Sequence, residues 1–286
     1  GMARWVTHSR ITIYLPCIES ELWLIDDLII NISKSLSLDA DRLTCEQLFF
    51  KEGKIIFLLA SRKPEENRYV AVLSLDQEAL DQRLNEQGVI KKIRNIPILR
   101  NHVGEVPTIF LLSTGICFAM PIRKGMTIDA PVKGIDELHE KVNFLLMVMA
   151  EVHSEKSIRQ IVSDWSIRMC SRLKSEDETV NQWVDRLLEL LFKVSTSAVL
   201  MHGDAKLENF LLTRNFDVNQ IIDWELATFD GVPMLDLFYL IAYSRHVHYE
   251  ETIDQSIRYL SGDNLDSHDK YLFSKYMSAL GMSDSM

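Results

Sequence analysis

His202-Gly-Asp204-Ala-Lys206-Leu-Glu-Asn209-Phe210, followed after a polar turn by Ile221-Ile-Asp223-Trp-Glu225, is the stretch that decides how this 286-residue chain is read. Ala198-Val-Leu-Met201 runs into it, and Phe210 to Thr213 and Val218 to Ile221 continue the apolar pattern, so strand, polar loop, strand, turn and strand is the expected order. Rigid flanking strands hold a loop in place, and Asp204, Asn209 and Asp223 stand at strand ends, where polar groups can converge. Two carboxylates and an amide form an oxygen-rich set suited to Mg2+, a hard cation that is usually held by one or two carboxylates plus substrate phosphates. Asn209 and Asp223 are the expected metal ligands. Asp204 is then left to accept a hydroxyl proton, and Lys206 to offset charge on a phosphoryl group in flight. Phosphoryl transfer from a nucleotide is the chemistry this set implies.

Outward from that stretch, the first half of the chain has strand character and the part after Pro121 is helix-rich. Arg42 to Lys51, Lys54 to Ser61 and Tyr69 to Leu75 predict an antiparallel meander. Asp76 to Ile93 predicts a helix, and Val106 to Leu112 and Gly115 to Met120 two further strands. An amphipathic helix is expected over Ile18 to Leu36. Pro121 to Gly125 breaks the pattern, which places a boundary between residues 1–120 and 121–286. Beyond it, Ile135 to Ser154, Ile158 to Leu173, Thr179 to Val194, Met234 to Arg245 and a segment near the C-terminus have helical spacing. The expected class is α+β, with an antiparallel sheet lobe carrying one inserted helix and a mainly helical second lobe.

Composition excludes several classes of function. With 47% hydrophobic and 25% charged residues the chain is globular rather than disordered. Apolar runs such as Ile55 to Ala60 fall far short of the ~20 residues that cross a bilayer. The first residues lack the apolar core and small-residue cleavage site of a secretory leader, so a cytoplasmic location is expected. Cys17, Cys45, Cys117 and Cys170 form no C-x-x-C pair, which argues for four reduced, buried thiols rather than a zinc or redox motif. A net charge of -10 repels nucleic acid and anionic lipid, so neither is an expected partner. His246 and His248 point to different helix faces and predict no metal site, and Trp23, Trp165 and Trp183 read as packing.

HGDAKLENF and IIDWE resemble the signature of the aminoglycoside phosphotransferase and choline kinase family, which runs H-G-D, four residues, N, and later I-D-W/F-E. Met149 to Ser154 is similar to the family's helix ending L-A-x-L-H-S, and Gly231-Val-Pro-Met-Leu-Asp236-Leu to its G-x-P-x-x-D-L segment. The resemblance implies a two-lobe protein-kinase-like fold and a kinase that uses Mg2+ and ATP or GTP. It makes Asp204 the catalytic base, Asn209 and Asp223 magnesium ligands, His202 a loop-organising residue and Asp236 an acid supporting the loop.

One departure bears on the nucleotide. Kinases pair a third-strand lysine with a helix glutamate to hold the α and β phosphates. Here Ser74 falls at the lysine position, while Glu86 suits the glutamate. The hairpin Lys51-Glu-Gly-Lys54 has one glycine where a phosphate-covering turn has several, and Lys51 or Lys54, as flexible lysines at its tip, are the candidates to replace the lost charge. Two functions follow: transfer of a γ-phosphoryl group to a hydroxyl of a small molecule, or a catalytically impaired module that binds nucleotide or a partner. From Thr196 to Met286 there are 14 acidic and 6 basic residues, a balance of -8 that suits a cationic acceptor such as an aminoglycoside or amino alcohol, with a neutral sugar as the alternative.

Overall fold

Alternation of apolar side chains builds the first sheet. The computed structural model describes residues 29–34, 43–51, 53–61, 68–112, 115–122, 125, 134–161, 196–260 and 265–281. The chain divides into two compact units, Gly1–Met126 with Leu211–Glu225, and Thr127–Phe210 with Leu226–Met286.

In the first unit, β1 (Leu43–Lys51), β2 (Lys54–Ser61), β3 (Arg68–Ser74), β4 (Thr108–Leu112) and β5 (Gly115–Ile122) form an antiparallel sheet in the order β1-β2-β3-β5-β4. Register sets its two faces. Phe57 pairs with Ala71 and Ala71 with Ala119, while Leu59 pairs with Tyr69 and Leu73 with Cys117. These residues and Ile32 make one core. Lys54 pairs with Ser74, Ile56 with Val72 and Val72 with Phe118 on the opposite face. Helix α1 (Gln77–Ile93) follows β3, capped by the Asp76 carboxylate, which accepts from the Ala79 N–H at 2.8 Å.

Leu211–Glu225 joins this unit through β9 (Val218–Ile221), which pairs with β8 (Phe210–Leu212) in a hairpin. The Ile221 N–H donates to the His102 carbonyl at 2.6 Å, and Val103 bridges Ile221 in parallel.

The second unit packs α2 (Ile135–Ala150), α3 (Leu235–His248), α4 (Ile253–Leu260) and α5 (Ser267–Ala279) beside a three-stranded sheet. Leu138, Val142, Leu145, Leu146 and Met149 recur at threes and fours along α2 and are buried, as are Leu272, Phe273, Tyr276 and Met277 on α5. The sheet is β10 (Thr228–Gly231), β7 (Ser197–Met201) and β6 (His153–Ser157), with β7 central.

The five strands, the inserted helix and the helical second half agree with the α+β expectation. Helix α2 stops at Ala150 rather than Ser154, because residues 153–157 leave it to pair with β7. Strands β6 and β10 were not expected from the sequence: His-Ser-Glu-Lys-Ser has no apolar alternation, since an edge strand buries little. Cys117 is buried as expected, whereas Cys45 is only half-buried. Residues 29–34 and 158–161 are helical; the rest of the helices expected over Ile18–Leu36 and Ile158–Leu173, all of Thr179–Val194, and Cys17, Cys170, Trp23, Trp165 and Trp183 lie outside the described residues. Among the described residues no helix is long and apolar enough to cross a membrane.

Phe57, fully buried between β1 and β3, tests this packing. Phe57→Ala is expected to cost about 3–5 kcal/mol in denaturant titration, whereas Leu84→Ala on the exposed side of α1 should stay within about 0.5 kcal/mol.

Candidate active site

The loop after β7 is built around a buried acid. Asp236, in the first turn of α3, accepts the His202 backbone N–H at 2.6 Å on one carboxylate oxygen and the Gly203 N–H at 2.9 Å on the other. Burial pushes its carboxyl up, and His202 and the two N–H groups pull it back. Gly203 has φ +82°, and a Cβ there would lie 2.6 Å from the Leu226 carbonyl oxygen, so the loop closes only with glycine at this point. The His202 ring is fully buried, 6.3 Å from the Phe210 ring, and its Nδ1 accepts the Asp204 N–H at 3.3 Å.

Asp204 is thereby presented with its carboxylate among donors. The Asn209 amide donates to the Asp204 carbonyl at 2.7 Å and to its Oδ2 at 2.9 Å, and Lys206 Nζ lies 2.9 Å from the same Oδ2. Tyr239 of α3 reaches Asp204 with its hydroxyl, and Lys206 lies 5.7 Å over the Tyr243 ring. Burial alone would lower the Lys206 ammonium, but its hydrogen bond to Asp204 and the surrounding negative charge raise it. Burial raises the Tyr239 phenol, and the Asp204 charge raises it further. With its amide protons turned to Asp204, Asn209 keeps its oxygen for another partner.

In the first unit a second group of charges assembles. Asp223 sits at φ +65°, a backbone conformation that Asp tolerates better than most residues and that marks a constrained turn. The turn is held from α1: Glu86 Oε1 accepts the Trp224 N–H at 3.2 Å, and the Asn85 side chain donates to the Glu225 carbonyl at 3.0 Å. Trp224 is buried and donates its indole N–H to the Ile221 carbonyl at 3.0 Å. Glu86, 1% exposed, receives Arg83 Nη1 at 2.6 Å; Arg83 also pairs with Glu225 and lies 3.6 Å from Asp223. Burial pushes Glu86 up, Arg83 draws it down and Asp223 adds to the upward push. Lys54 Nζ is 2.6 Å from Glu225. Burial and the neighbouring Arg83 and Lys51 lower its ammonium to about 8.

The structure therefore brings His202, Asp204, Lys206 and Asn209 together in the second unit and Lys54, Glu86 and Asp223 together in the first. Lys51 stands exposed at the end of β1. Lys54 is not a flexible tip residue: only 4% exposed, it begins β2 and its ammonium is taken by Glu225. Arg83 was missed; its spacing of three before Glu86 on a helix was the available signal. Both proposed metal ligands offer oxygen, the Asp223 carboxylate and the Asn209 carbonyl, which is the chemistry magnesium takes. His246 Nδ1 bonds the Glu251 carbonyl at 2.6 Å. Asp136, His139 and His268 gather elsewhere in the second unit, where His139 bonds the Ser244 hydroxyl at 2.9 Å and burial lowers its ring to about 3.

The comparisons with known proteins agree with the motif reading. The model of the Phosphotransferase enzyme family matches residues 160–271, the part that holds HGDAKLENF and IIDWE. Among solved structures, the macrolide 2'-phosphotransferase of Brachybacterium faecium is 16% identical, over 89% of this chain and 90% of its own, with a TM-score of 0.52. An aminoglycoside phosphotransferase of Streptomyces rimosus, in complex with ADP and streptomycin, is 15% identical over 90% and 92%, with a TM-score of 0.53. An ethanolamine kinase of Plasmodium vivax is 14% identical over 94% and 76%, with a TM-score of 0.54. None of the curated proteins matches the chain. The chain shares the fold of these solved structures, and residues 160–271 resemble the phosphotransferase family.

The Asp236 carboxylate gives a test of the loop. Asp236→Ala leaves two buried N–H groups without an acceptor and should cost about 2–4 kcal/mol in denaturant titration. Asp236→Asn should recover only part of this, since one amide nitrogen then faces a donor.

Proposed function

We propose that the chain is a magnesium-dependent phosphotransferase that moves the γ-phosphoryl group of ATP or GTP to a hydroxyl of a small molecule. The observation that carries this reading is Asp204, a carboxylate oriented by Asn209 and Lys206 on a loop pinned by Asp236. The acceptor oxygen forms the new bond to the γ-phosphorus as the bond to the β,γ-bridging oxygen breaks, and Asp204 takes the hydroxyl proton. Lys206 offsets charge on the equatorial oxygens. Asn209 and Asp223 would hold Mg2+, which when bound neutralises phosphate charge. His202 acts through the loop, setting where Asp204 stands.

The first unit takes the nucleotide side and the second the acceptor side. For the acceptor, an amino alcohol, an aminoglycoside or a sugar is the proposed class. Beside Asp204, Tyr239 and Tyr243 stack with ring centroids 5.9 Å apart, and the Tyr243 hydroxyl reaches Glu208 at 3.4 Å. Aromatic faces next to a carboxylate suit a cation or the apolar face of a sugar. The impaired-module reading rested on Ser74 and on the glycine-poor hairpin. Two buried cations beside the turn carrying Asp223 weaken that motive.

Purified protein with Mg-ATP or Mg-GTP and a panel of amino alcohols, aminoglycosides and sugars should give a phosphorylated product detectable by mass spectrometry. Asp204→Asn should lower its rate by roughly 10²–10⁴-fold with unchanged circular dichroism. Chelation of Mg2+ should stop the reaction, and re-addition restore it. No product from any acceptor, or an Asp204→Asn variant as fast as the parent, would overturn the reading.

A further inference from the structure

The lysine missing from β3 has a successor across the sheet. Lys54 and Ser74 are direct register partners between β2 and β3, so their side chains leave the sheet on the same face from neighbouring points. Opposite residues in an antiparallel pair have Cβ atoms about 4.5–5.5 Å apart, a separation that a four-carbon lysine stem spans. A lysine rooted at 54 can therefore place its ammonium in the space served by one rooted at 74. Ser74 is small, and its hydroxyl is buried without a partner among the described residues. It takes up little of that space and satisfies nothing there.

The other task of such a lysine is to hold the helix glutamate. Here Arg83 does so from within α1, bonding Glu86 at 2.6 Å. Arg83 is 5% exposed, and its Nε has no partner among the described residues. The carboxylates Glu86, Asp223 and Glu225 outnumber the cations Lys54 and Arg83, so the two positive groups are held in position while no phosphate is near. An ammonium has three N–H donors, and the Glu225 contact uses one. Lysine is almost never fully buried unless paired, and Glu225 is the partner that holds Lys54 inside.

We infer that Lys54 is the ligand of the nucleotide's α and β phosphates, displaced by one strand from position 74, and that Arg83 has taken over the pairing with Glu86, so that two residues divide the work of one lysine. Lys54 binds the co-substrate; Arg83 is a positioning residue acting through Glu86. The inference rests on the phosphotransferase reading for its nucleotide.

The test moves the lysine back. ADP affinity is measured with Mg2+ by calorimetry, and the nucleotide KM and kcat with an acceptor. Lys54→Met should weaken ADP binding and raise the nucleotide KM by roughly 10- to 100-fold, the worth of a charge-assisted hydrogen bond. Lys54→Met combined with Ser74→Lys should recover most of that loss. The double variant also returns a partner to Glu225 if Lys54→Met alone folds poorly. Lys91→Met, an exposed lysine on α1, serves as the charge control. Arg83→Gln should raise the nucleotide KM with kcat little changed, and Arg83→Lys, which keeps a cation beside Glu86, should recover part of that loss. ADP affinity indifferent to Lys54→Met, or a double variant that folds but binds ADP no better than Lys54→Met, would overturn the inference. Because ADP binding needs no acceptor, a wild type that binds ADP in a Lys54-dependent way yet transfers nothing would overturn the phosphotransferase reading alone.

Discussion

A carboxylate buried away from water costs several kcal/mol unless its oxygens find donors or cations, and each unit organises a loop or turn around one such group. In the second unit it is Asp236, whose two oxygens fix the backbone of His202 and Gly203 and so decide where Asp204 emerges. In the first unit it is Glu86, which accepts the Trp224 N–H on one oxygen and Arg83 on the other. Neither acid is placed to touch a reacting atom. Both convert a desolvation penalty into geometry, because the loop or turn that satisfies them has one conformation in which it can do so.

The two arrangements differ in what they leave over. Around Asp204 the donors Asn209, Lys206 and Tyr239 surround the carboxylate itself and fix its orientation. Around Glu86 the three acids outnumber the two bases, so both cations have carboxylate partners. On the proposed phosphotransferase reading, a chain with a net charge of -10 has to bind a polyanion against its own field. Lys54 and Arg83, held in a buried setting where screening is weak, are the local cations that would oppose that field.

The strands and helices with clear periodicity were legible in the sequence, as was the cluster on the loop after β7, because HGDAKLENF lies within a few residues of chain and its side chains meet locally. What was not legible depends on partners distant along the chain. Lys54 follows a glycine in a polar run and reads as a solvated turn residue; its burial comes from Glu225, 171 residues later. Arg83 drew no reading from its own stretch, and its partners Asp223 and Glu225 lie far along the chain. Strands β6 and β10 flank β7 and carry no apolar alternation, so their pairing is decided by β7 rather than by their own composition.

Position along a chain and position in a sheet are different coordinates. A motif written along one strand records which residue stands at a given step of that strand, whereas a ligand meets the face of the sheet, where cross-strand neighbours are closer than residues two apart on one strand. The Lys54–Ser74 register makes the two descriptions diverge at the one place where the motif fails. The charge absent from β3 is present on β2, on the same face, with its carboxylate partner drawn from the I-D-W-E turn. Loss of a motif residue therefore counts against a function only when its register partners, and the helix packed over them, leave the same space without the same chemistry.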